Sequence, residues 1–237
     1  MIQKIQSRMF ILGAAGILML VLAHHARPSR PAIPARPVQE EMQNLPLLGK
    51  IIFVDAGHGG TDGGARAKDS GRWEKEINLS LALKLKNALE EKGAKTVLSR
   101  ETDMQYSEHK RSDLTARLDL AEKEGADLLL SIHMNEYRSR KESGPQVFYR
   151  EGQEKSRLLA AVLQDTLIRR LSPVRERSAM AGNYFILSRP LPSVLIECGF
   201  LSNSEEEKKL LDEGYQEKTA QAIAEGVAEY FLLTSGQ

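Results

Sequence analysis

Residues 51–60 read Ile51-Ile52-Phe53-Val54-Asp55-Ala56-Gly57-His58-Gly59-Gly60. Four apolar residues in a row match a strand buried on both faces, and Asp55-Ala56-Gly57 closes it in a turn. Downstream, Ile77, Leu81, Leu85 and Leu89 recur every four residues and mark one face of a helix, with Gly93 as its stop. Thr96-Val97-Leu98 is the next strand. A buried strand, a helix and a second strand form the unit from which parallel sheets are built.

The alternation continues outward. Leu114, Leu118 and Ala121 mark a helix ending near Gly125, and strands are expected at 127–132 and 147–149. A long helix is expected over 154–171, strands over 184–187 and 194–196, and a closing helix through Ala220, Ile223, Ala224, Val227 and Phe231. The fold class is therefore α/β: a single domain with a largely parallel twisted sheet flanked by helices, without internal repeats. The charged runs 90–92 and 205–209 read as solvated helix faces.

Before this domain stand two segments of different character. Lys4 and Arg8 precede an uncharged apolar run from Met9 to Ala23, the pattern of an export signal or a short membrane anchor. A small-x-small cleavage site is missing, which favours a retained anchor over residues 1–26. Residues 27–48 carry Pro28, Pro31, Pro34, Pro37 and Pro46, the composition of an extended tether. His24 and His25, at its start, have no further ligand beside them and read as solvated. The globular domain is expected over 49–235.

The 237-residue chain is 41% hydrophobic and 27% charged with a formal net charge of +1, so it can bury a core and carries no overall field suited to nucleic acid. Its one cysteine, Cys198, excludes an internal disulfide and lies in an apolar run, as a small buried hydrophobe does.

Four polar residues fall at or beside the carboxyl ends of the expected strands, where open α/β sheets form their ligand crevice. His58 follows the first strand, His133 ends Leu128-Leu129-Leu130-Ser131-Ile132, Glu197 ends Val194-Leu195-Ile196, and Glu74 stands at the start of the first helix. Two imidazoles with one carboxylate form a ligand set of catalytic zinc, whereas calcium or magnesium prefers more oxygens. Each residue alone has an ordinary explanation: a hydrogen-bonded histidine, or a carboxylate favoured by a helix dipole. Glu197 is the exception, because a carboxylate closing an apolar strand is costly unless paired or metal-associated. The glycine-rich run 57–64 lacks the Gly-Lys-Ser/Thr of a phosphate loop.

Four segments in order carry a resemblance. They are Val54-Asp55-Ala56-Gly57-His58-Gly59-Gly60 with Asp62-Gly63-Gly64-Ala65, then Glu74-Lys75-Glu76-Ile77-Asn78-Leu79, Ser131-Ile132-His133-Met134-Asn135, and Ile196-Glu197-Cys198-Gly199-Phe200-Leu201-Ser202-Asn203. Together they resemble the catalytic domain of the zinc-dependent N-acetylmuramoyl-L-alanine amidases over nearly all of residues 50–233, and the layout is similar to the germination-specific branch of endospore formers. The resemblance implies hydrolysis of the amide between N-acetylmuramic acid and L-alanine in peptidoglycan, with a role in spore cortex maturation (muramic lactam formation) and germination. It implies zinc held by His58, Glu74 and His133, with Glu76 as the alternative carboxylate, Glu197 as catalytic glutamate, and Asn135 at the substrate or in the turn after its strand. Cys198 departs from the family pattern. Peptidoglycan as substrate, a membrane contact through the N-terminal segment, an exported accessory protein and a location facing the wall or cortex are the further expectations. A zinc peptidase cutting the stem peptide, and a non-catalytic wall-binding protein with a structural metal, are the competing readings.

Overall fold

The computed structural model describes residues 45–235. The signal or anchor segment, the histidine pair 24–25 and most of the proline-rich tether lie outside the described residues. Among the described residues, strands β1 (Ile51–Ala56), β2 (Lys95–Leu98), β3 (Leu128–Asn135), β4 (Gln146–Tyr149), β5 (Met180–Ala181) and β6 (Ser193–Phe200) form one sheet in the order β2-β1-β3-β6-β4-β5. The β2-β1-β3-β6 run is parallel throughout, β4 joins β6 antiparallel, and β5 pairs parallel with β4. Helices α1 (Glu74–Glu90), α2 (Lys110–Lys123), α3 (Glu154–Leu171), α4 (Ser204–Leu210) and α5 (Glu213–Thr234) surround it.

Side chains alternate across a strand, so the register assigns each residue to a face. On one face, Val54, Leu130, Ile132, Val194, Ile196 and Cys198 join the core with Leu81 and Leu85 of α1, Leu163 of α3 and Ile223 of α5. On the other, Phe53, Leu129 and Leu195 pack with Leu118 of α2 and Phe148. Along this second face, toward the carboxyl ends of the strands, the apolar row gives way to Asp55 beside Ser131 and then to His133 beside Glu197. The polar site thus continues a hydrophobic face by one and two steps of the pleat.

Two expectations are corrected. Residues 184–187 contain a short 3-10 helix, Phe185–Leu187, in place of a strand. Leu187 N–H donates to Tyr184 O at 3.1 Å and Ser188 N–H to Phe185 O at 3.0 Å, local bonds that curl the run while Ile186 and Leu187 stay buried. The charged run 205–209 is solvated only in part. Glu207 is buried and accepts from the N–H groups of Asp69 and Ser70, and buried Glu206 accepts from those of Gly144 and Phe200. Leu47, near the end of the expected tether, is fully buried, and its N–H donates to Lys92 O at 2.9 Å. Among the described residues, no helix is long and apolar enough to cross a membrane.

Candidate metal centre

The site begins with the backbone that leaves β1. His58 has a φ of +63°, uncommon for a residue with a Cβ. Two buried arginines hold it there. Arg100, just past the end of β2, donates to the carbonyls of Ala56, Gly57, His58 and Lys75. Arg117 of α2 donates to the carbonyls of Ala56 and His58 and pairs with Asp55 at 2.9 Å and Asp113 at 2.8 Å. Carbonyls that would lack helix or sheet partners in this turn are satisfied by guanidinium forks, which suit such convergent acceptors.

Glu74 enters from the first turn of α1 and is buried. Its Oε2 lies 3.2 Å from His58 Nε2, and its Oε1 lies 3.0 Å from His133 Nδ1. Backbone N–H groups of Ala65 and Met134 donate to the two carboxylate oxygens at 2.9 and 3.1 Å, and Asn78 Nδ2 donates to Oε1 at 3.2 Å. Burial opposes ionisation of Glu74, but the two histidines outweigh it and hold the carboxyl far below its usual range. Glu76, the alternative carboxylate, instead pairs with Arg72 on the exposed side of the helix.

His58, Glu74 and His133 each offer one ligand atom, and these atoms all lie within 4.8 Å of one another. Two imidazole nitrogens and one carboxylate oxygen, converging this closely, are a donor set that would fit a single zinc ion. Asp62 Oδ2 stands 2.9 Å from His58 Nδ1 on the side away from Glu74, although it is not aligned for a hydrogen bond. Such outer carboxylates orient metal-binding histidines. Gly64, with φ of +67°, leaves the space for the pair: a Cβ there would lie 2.5 Å from Glu74 Oε2 and 2.7 Å from His58 Cδ2.

Glu197 lines the same cleft as His58 and His133. Its Oε2 is buried with no hydrogen-bond partner among the described residues. Burial, reinforced by the Glu74 charge and only partly relieved by the histidines, pushes its carboxyl up to about 7. A carboxyl that exchanges protons near neutrality is suited to acid–base work. Cys198, next along the strand, faces the opposite core, and burial raises its thiol pKa.

The structure therefore brings together His58, Glu74, His133 and Glu197. It places Asn135 at the end of β3, where its carbonyl accepts from Leu201 N–H at 2.8 Å, and the side chain is not among those lining the cleft. Asp62, Arg100, Arg117 and Tyr184 were not singled out from the sequence. Signals existed for two of them: Arg117 falls on the Leu114–Leu118–Ala121 stripe, where a charge must be paired, and Arg100 follows a strand's carboxyl end.

The family model described as N-acetylmuramoyl-L-alanine amidase matches residues 52–229. The germination-specific N-acetylmuramoyl-L-alanine amidase of Bacillus subtilis (strain 168) is 38% identical over 197 residues, covering 79% of this chain and 82% of that protein. Among solved structures, the CwlD amidase from Clostridioides difficile in complex with the GerS lipoprotein is 38% identical, with a TM-score of 0.71 over 78% of this chain and 99% of that one. The catalytic domain of CwlV, an N-acetylmuramoyl-L-alanine amidase from Bacillus (Paenibacillus) polymyxa, is 33% identical, with a TM-score of 0.69 over 76% and 97%.

Proposed function

This chain belongs to the N-acetylmuramoyl-L-alanine amidase family, a hydrolase family acting on peptidoglycan, and on that premise we propose that it is a zinc-dependent amidase of spore cortex maturation and germination. The observation that carries the chemical part is the juxtaposition of a three-ligand cluster with the unpartnered buried Oε2 of Glu197 in one cleft.

His58, Glu74 and His133 would hold the zinc, which when bound supplies a Lewis acid that polarises a carbonyl and acidifies water. The rest of the chemistry belongs to the chain. Glu197, with its carboxyl near neutrality, accepts the proton of the attacking water and delivers it to the departing alanine nitrogen, because an amine leaves poorly as an anion. Arg100 and Arg117 hold the His58 turn through its carbonyls, so the ligands are oriented before substrate arrives. Asn135 is given a lesser part, fixing the end of β3 next to the cleft, with any contact to substrate made from there.

The germination role is supported by the 38% identical relative that is named for it. Removing the stem peptide leaves the lactyl carboxyl of muramic acid bare, which is the group that lactam formation in cortex would consume. An exported accessory protein is proposed on the same footing, since a relative of equal identity is seen in complex with a lipoprotein. Action outside the cytoplasm, at the wall or cortex, follows from the substrate; a membrane contact through residues 1–26 is part of the proposal. Digestion of purified peptidoglycan with and without chelator, read by mass spectrometry, tests the reaction. Intact stem peptides beginning with L-alanine are expected only without chelator, and cleavage inside the stem would point instead to a peptidase.

A further inference from the structure

The cleft holds an aromatic side chain that neither the metal cluster nor the proton relay uses. Tyr184 lines it with His58, His133, Leu195 and Glu197. Its ring is placed by packing. Phe148 meets it edge-on, with centroids 5.3 Å apart and planes at 64°. Gly182 makes the room: a Cβ there would lie 2.4 Å from Tyr184 Cε2 and 2.8 Å from Cδ2. The backbone is fixed as well, because Tyr184 O accepts from Leu187 N–H at the head of the 3-10 turn. A tyrosine has two side-chain torsions to fix, so a packed ring delivers its hydroxyl to a narrow region of space.

The phenol also has a proton to give. Burial raises its pKa above the usual 10, the Glu197 charge raises it further, and no hydrogen bond to Glu197 contributes. It therefore stays neutral around neutral pH and is available as a donor. Two other donors in the cleft wall are committed elsewhere. Arg117 is engaged by Asp55, Asp113 and two carbonyls, and Thr61 Oγ1 donates to Gln105.

We propose that Tyr184 is a further catalytic residue, whose phenolic O–H donates a hydrogen bond to the oxygen of the scissile amide carbonyl as that oxygen gains negative charge. The proton stays on the phenol and no bond to Tyr184 forms or breaks. Attack on an amide turns a neutral carbonyl oxygen into an oxyanion, so a fixed neutral donor acts more strongly on the transition state than on the substrate. The inference rests on the amidase reading given above.

The test compares purified, zinc-loaded wild type with Y184F on a soluble glycan–peptide fragment of peptidoglycan, measuring kcat, KM, zinc content and thermal midpoint. Phenylalanine keeps the ring against Phe148 and removes only the hydroxyl. The expected result is kcat lower by about 10- to 1000-fold, with KM within roughly twofold and zinc content and midpoint unchanged. G182A, which crowds the ring, is expected to lower kcat in the same way. Full kcat in Y184F with zinc bound would overturn the proposal and leave Tyr184 as a packing platform, as would full kcat in G182A if Y184F proved unstable. Zinc-loaded wild type that releases no stem peptide would instead sink the amidase reading itself.

Discussion

Gly57 lies directly beneath the His133 ring: a Cβ added to it would fall 2.3 Å from both Cε1 and Nε2 of that imidazole. The glycine belongs to the turn after β1 and the histidine to β3, its parallel neighbour. One ligand can thus reach Glu74 only because the residue preceding the other ligand has no side chain. Gly57→Ala is expected to fold and to bind zinc about 10–100-fold more weakly, the range seen when support around a ligand is lost. Competition with a chromophoric chelator, alongside circular dichroism, checks it; wild-type affinity would show that the ring can shift without consequence.

Arg117 offers a prediction about stability. It is buried with Asp55 and links α2 to β1 and to the His58 carbonyl. Replacing it by methionine keeps most of the volume but strands the Asp55 carboxylate. The expected loss is about 3–5 kcal/mol, measured by urea unfolding of the metal-free protein. A loss below about 1 kcal/mol would mean that solvent reaches the pair.

The same pair sets an acid limit. Burial alone would raise the Asp55 pKa, but Arg117 and the Ser131 hydroxyl outweigh burial and hold it below its ordinary 3.8. The unfolded chain then binds the proton more readily, so stability from this group is complete above 3.8 and is lost as pH falls through the lower folded value. Unfolding titrations of the metal-free protein at descending pH should show this loss, and Asp55→Asn should flatten it.

Zinc affinity should also depend on pH, through His58. Burial of the ring lowers its pKa, yet Glu74 and Asp62 together raise it above the ordinary histidine value. A proton on His58 excludes the metal, so affinity should climb by up to about tenfold per pH unit while that proton is being displaced, then level off. Isothermal titration at several pH values measures the slope. Asp62→Asn should move the levelling point to lower pH.

Much of this was legible in the sequence, and the parts that were not share a physical reason. Ile51–Val54 and Leu128–Leu130 are continuous apolar runs within their strands, and the helix expected over 154–171 is α3, with that same span. His58, His133 and Glu197 could be found because the carboxyl ends of parallel strands must converge. The run 184–187 is too short for periodicity to separate a strand from a buried 3-10 turn, and it went the other way. Glu206 and Glu207 look solvated in a charged run, but loops distant in sequence bring their N–H groups to them. Arg100 is marked only by its place after a strand's carboxyl end, since three of the carbonyls it holds belong to a turn more than forty residues away.

The most direct measurement is the rate at which zinc-loaded Glu197→Gln releases stem peptides from peptidoglycan, with the metal content of the same sample determined in parallel. Glutamine keeps the shape of the side chain and cannot carry the proton. We expect one zinc per chain, as in wild type, and a rate lower by about 10²–10⁴-fold. A metal-loaded variant that works at the wild-type rate would contradict the assignment of proton transfer to Glu197, and with it the reading of this cleft as the catalytic centre.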